Sequence, residues 1–104
     1  MNSNATEKDI ESIVVEFNNS AATIYTNILR QFLDSIQKIS RTKDENVFKM
    51  QAAKYGYALK SHLSELAKQT SETSQSNLRD RIMIALSARV NHYLHEFKLK
   101  WNAM

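Results

Sequence analysis

The chain has 104 residues, 42% of them hydrophobic, with one glycine, no proline, no cysteine and a formal net charge of +3. That length suits a single domain, and the apolar fraction is too high for a wholly disordered chain. Without cysteine there are no disulfides, thiolate zinc sites, iron–sulfur clusters or cysteine nucleophiles, and one glycine cannot supply a phosphate-cradling loop, a nucleophile elbow or the turns of a sheet.

The pattern predicts an all-α fold: one helical domain over residues 1–104, with helices at about 6–40, 44–69 and 77–102 and a linker at 70–76. Residues 1–5 are polar and read as frayed. In the first helix Ile13, Phe17, Ala21, Ile24, Ile28, Phe32, Ile36 and Ile39 recur three or four apart, the spacing of an apolar face on a 3.6-residue turn. Tyr25, Leu29 and Leu33 widen that face enough for two neighbours. Thr6 reads as the cap, with Glu7 and Asp9 suiting the positive end of the dipole. Asn18-Asn19-Ser20 has poor helix propensity, so a kink there, giving four helices, stands beside the continuous helix.

Thr42 and Glu45 have capping-box spacing ahead of the second helix. Its core line is Phe48, Ala52, Tyr55, Leu59, Leu63 and Leu66, with Gly56 beside it and His62 near it as a candidate buried histidine. The next eight residues, TSETSQSN, favour side-chain bonds to the local backbone and read as the linker. Ser76 or Asn77 then caps the third helix, whose core line is Ile82, Leu86, Val90, Tyr93, Phe97 and Trp101. Short polar connections between long helices favour an up-down-up antiparallel bundle. The first helix is longest, so Ile10, Ile13, Val14, Val15 and Phe17 are expected to need cover from a fourth helix or a second molecule.

No apolar run approaches the ~20 residues of a membrane span. The start MNSNATEKD has neither a basic nor an apolar leader segment, so a cytoplasmic setting is expected. Residues 1–40 carry three basic and five acidic side chains, and residues 41–104 carry eleven and six. The halves are therefore −2 and +5, a balance that fits a solvated lysine face, an acidic partner or nucleic acid.

Catalytic and metal signals are weak. His92, His95 and Glu96 lie at i, i+3 and i+4, a spacing that puts two ligands on one face with no further ligand beside them, and the paired carboxylates sit at helix starts, where the dipole accounts for them. No enzymatic activity, cofactor or metal is expected. Residues 51–59, Gln-Ala-Ala-Lys-Tyr-Gly-Tyr-Ala-Leu, resemble the first half of a helix-turn-helix, with alanine four residues before a turn glycine; beyond it the motif wants apolar residues where His62 and Glu65 stand. With Lys49, Lys54, Lys60, Arg79 and Arg81 nearby, the resemblance implies phosphate contacts and a small nucleic-acid-associated regulator.

The more informative feature is surplus apolar surface. Met50, Ala53 and Tyr57 on the second helix, and Ile84, Ala88 and Leu99 on the third, lie away from the core lines, and a three-helix monomer does not need them. Methionine and tyrosine suit an adaptable interface. The leading expectation is therefore a non-enzymatic helical interaction module, such as an adaptor, small regulator or secretion-type chaperone, packing with itself or a protein partner.

Overall fold

The computed structural model describes residues 3–104, with side chains from residue 9 onward. The expected Thr6 cap and the Glu7 side chain lie outside the described residues. Three helices follow one another, α1 (Ser3–Ser35), α2 (Glu45–Glu72) and α3 (Arg79–Asn102), and there is no strand among the described residues. Each helix packs against both others, forming a three-helix all-α bundle with extents of 62 × 19 × 16 Å. No described helix is long and apolar enough to cross a membrane.

The three apolar faces meet in one core. Phe32, Phe48, Leu59, Leu63, Ile82 and Leu86 are its largest fully enclosed side chains. Phe32 of α1 is the joint between helices: its ring centroid lies 5.8 Å from that of Phe48, 6.1 Å from Tyr55 and 5.3 Å from Phe97. Trp101 extends the cluster, 6.4 Å from Phe48. Aromatic pairs at these separations, tilted or edge-on, add to the burial of large apolar areas.

Asn18-Asn19-Ser20 lies within one helix, so the four-helix alternative does not occur. The Tyr93 hydroxyl of α3 sits 3.3 Å from both the carbonyl oxygen and the Oδ1 of Asn18, a tertiary partner at the residue whose propensity is poorest. The N-terminal apolar residues also differ from expectation. Phe17 is buried, and Ile10, Ile13 and Val14 are half-buried against the core cluster. They obtain this cover from their own chain, because α2 runs three residues past the expected Gln69 and the connection behind it brings in Leu78, itself buried. Val15 remains exposed.

The helix ends differ from those the sequence suggests. α1 is already helical at Ser3, the first described residue, and stops at Ser35 rather than Ser40. The Ser35 hydroxyl donates to the Phe32 carbonyl at 2.7 Å, and Ile39 N–H donates to Ile36 O at 3.0 Å in a tighter turn. That turn keeps Ile36 buried and Ile39 half-buried, which is why the apolar period continues beyond the helix. The Thr42–Glu45 box does not form: Asp44 is the N-cap residue of α2 and makes no side-chain cap bond. Its carboxylate instead accepts the Ser40 N–H at 2.9 Å, closing the connection, and Glu45 pairs with Lys49 at 3.2 Å and Arg41 at 3.9 Å.

Residues 70–72 of the expected linker are helical. Thr70 donates to Leu66 O at 2.8 Å and Ser71 to Lys68 O at 2.9 Å, so hydroxyl-to-carbonyl bonds decorate the last turn without ending it. Ser71 and Ala67 are buried, while Leu66 is only half-buried, so the α2 core line drifts by one residue near its end. Neither Ser76 nor Asn77 caps α3; Leu78 occupies that position and has no side-chain bond to offer.

Candidate functional site

The outward faces of α2 and α3 carry large apolar side chains in contact with solvent. Tyr57 is 74% exposed, Ile84 73%, Met50 70% and Leu99 49%, and Ala53 and Ala88 are also exposed. All six residues singled out from the second stripes are therefore on the surface. The structure does not gather them into one site.

It gathers Ala53 and Tyr57 with residues from α3 into a groove of ≈ 470 Å³ along the α2/α3 seam, lined also by Ala52, Gly56, Leu94, Phe97 and Trp101, with Lys49, Lys60 and Lys98 at its edges. A narrower cavity of ≈ 120 Å³ shares Lys60 and Leu94 with it and continues the seam past Ala67 to Met83 and Val90. Met50, Ile84, Ala88 and Leu99 line neither cavity.

The groove follows from the sequence of α2. Small side chains at Ala52, Ala53 and Gly56 leave room beside α3, where Leu94 and Trp101 are half-buried and Phe97 is enclosed. Gly56 lies in mid-helix with no positive φ, so its value is space rather than backbone freedom. A Cβ built there would stand 3.6 Å from Phe97 Cε2 and 3.8 Å from Cδ2, an ordinary contact. The helix does not turn at Gly56, since α2 runs unbroken from Glu45 to Glu72. Residues 51–59 thus lack the break that a helix-turn-helix requires, and the resemblance fails at its glycine.

The basic residues named as phosphate contacts are dispersed. Lys49 and Lys60 edge the groove. Lys54 instead lies over the Tyr55 ring at 5.3 Å. Arg79 donates to the Glu72 carbonyl at 3.1 Å, satisfying an orphan acceptor at the end of α2, and Arg81 is exposed on the first turn of α3. Lys98, which the sequence reading did not single out, joins Lys49 and Lys60 instead. No carboxylate lines either cavity of the seam, and neither Lys60 nor Lys98 makes an ion pair among the described residues.

A larger recess of ≈ 510 Å³ lies between the first half of α1 and the α2–α3 connection, lined by Asp9, Glu16, Leu66, Thr70 and Leu78 among others. Its Thr70, Thr73 and Ser74 hydroxyls are committed to carbonyls of their own segment, and Asp9 and Glu16 make its α1 side acidic. His62 is exposed rather than buried, because Leu63 takes the core position beside it. His92 and His95 are exposed as well, His92 standing edge-on to Tyr93 at 5.7 Å. No protein family, curated protein or solved structure matches this chain.

Proposed function

We propose that this protein is a cytoplasmic, non-enzymatic helical interaction module, an adaptor, small regulator or secretion-type chaperone, that works by packing a helix of a partner or of a second copy onto its α2/α3 side. The observation that carries the reading is solvent-facing apolar surface on both helices: Met50, Tyr57 and Ile84 are each at least 70% exposed although the bundle core is complete without them. Burying one such side chain contributes about 1.5 to 3 kcal/mol, and several together offset the ordering cost of association. Three lysines around an apolar floor also support the second reading, a small nucleic-acid-associated regulator. That reading lost its helix-turn-helix, and two of its five basic residues sit at the distant start of α3.

Sedimentation velocity over a concentration series, and co-purification from the native source, test the first reading. Tyr57→Asp or Ile84→Asp should shift an oligomer towards monomer or abolish partner capture while leaving helix content intact. A wild-type monomer that captures nothing, or substitutions that unfold the chain, would defeat it. Binding to random duplex DNA that weakens steeply with salt, through release of condensed counterions, would establish the second reading in its place.

A further inference from the structure

If the α2/α3 side is an interaction surface, the chemistry of the seam narrows what it takes. Its floor is apolar and the charged side chains that line it are all positive, Lys60 from α2 and Lys98 from α3 among them. From Lys49 to Ala67 the seam follows 19 residues of α2, a rise of about 27 Å over the 18 steps of 1.5 Å between them, the length of a five-turn helix. An all-helical bundle has no open sheet edge to extend, so an extended peptide would leave its backbone groups unpaired over the apolar floor. A helix satisfies its own.

We infer that this groove seats an acidic amphipathic helix from a protein partner. The apolar stripe of that helix lies on Tyr57, Leu94 and Trp101, in the space that Gly56 leaves beside the enclosed Phe97, and its flanking carboxylates meet Lys60 and Lys98. Lys49 contributes less, being already paired with Glu45 at 3.2 Å. Nucleic acid fits the floor poorly: Phe97 and Trp101 are already in edge-on contact with Phe32 and Phe48, leaving Tyr57 as the open ring for stacking a base.

The chain has one tryptophan, and it lines the groove, so Trp101 fluorescence reports occupancy directly. The probe is a synthetic 18-residue helical peptide with leucines at i, i+3, i+4 and i+7 flanked by glutamates; its control carries lysines in place of the glutamates. The glutamate peptide should give a saturable blue shift of Trp101 emission and the lysine peptide none. Lys60→Glu with Lys98→Glu, both at exposed positions, should retain the circular dichroism spectrum, bind the glutamate peptide about tenfold more weakly and acquire binding of the lysine peptide. Equal binding of both peptides, binding of neither, or a Trp101 response to oligothymidine alone would overturn the inference. So would a concentration-dependent Trp101 shift without peptide that the double variant abolishes, since a second copy would then be the occupant. If no peptide binds while sedimentation still shows association dependent on Tyr57, the acidic-helix inference fails and the interaction module stands. If both are absent, both fail.

Discussion

Gly56→Ala should stabilise this protein. Glycine in mid-helix costs about 1 kcal/mol relative to alanine because the unfolded chain has more backbone freedom to lose. Such glycines are usually retained for a positive φ or for lack of room, and neither applies, since φ is negative and the new methyl would sit 3.6 and 3.8 Å from the Phe97 ring. Partial burial of the new methyl against that ring adds a few tenths of a kcal/mol to the propensity gain, given about 0.8 kcal/mol for a fully buried methylene. The total is about 1 to 1.5 kcal/mol. With a urea slope of about 2 kcal/mol/M, the midpoint should rise by roughly 0.5 M, and Tm by roughly 4–8 °C. Equilibrium urea unfolding followed by circular dichroism checks it. A lower midpoint would refute the reasoning, because it would mean that α2 and α3 approach too closely for a Cβ. The same methyl raises the floor of the groove, so the variant should be more stable yet a poorer receptor for the glutamate peptide.

Leu86→Ala and Phe97→Ala remove side chains that are 0% and 2% exposed and should each cost about 2 to 5 kcal/mol in urea unfolding through lost burial and a cavity; midpoints that barely move would contradict the core described here. Tyr93→Phe deletes the hydroxyl that ties α3 to Asn18 and should cost about 1 kcal/mol. The Tyr25 hydroxyl is enclosed without a hydrogen-bond partner, and burial first, then the Glu96 carboxylate, hold its pKa above the ordinary 10.0. A raised folded-state pKa means that the unfolded chain ionises first, so stability is intact below the ordinary tyrosine range and falls as pH rises through it. Tyr25→Phe should leave stability near neutral pH almost unchanged or slightly higher, and blunt the alkaline loss in a pH series of thermal melts.

The helices were legible because a 3.6-residue apolar period with almost no glycine or proline permits little else; Leu86, Phe97, Phe48 and Phe32 sit in the core as their spacing implies. Their ends were less legible. Ile36 keeps the period while the backbone tightens beyond Ser35, and the hydroxyls of Thr70 and Ser71 bond backward to α2 carbonyls instead of stopping the helix. Single-helix periodicity also sorted the surface imperfectly. Exposure of Tyr57 and Ile84 follows from their position opposite the core line, but a groove depends on how two helices set their seams, which no one-helix pattern contains. Gly56 was the available signal, a costly residue in mid-helix next to α3, while Leu94 and Lys98 carried no mark until α3 was placed beside α2.

Site-specific photo-crosslinking in cells of the native source bears most directly on the central claim that the α2/α3 side is an interaction surface. A benzophenone side chain placed at Tyr57, and separately at the exposed α1 position Asn27 as a control, compares that side with a polar surface. The account predicts one discrete protein adduct, or a covalent dimer, from position 57 and none from position 27. No adduct from either position, or the same adducts from both, would contradict it.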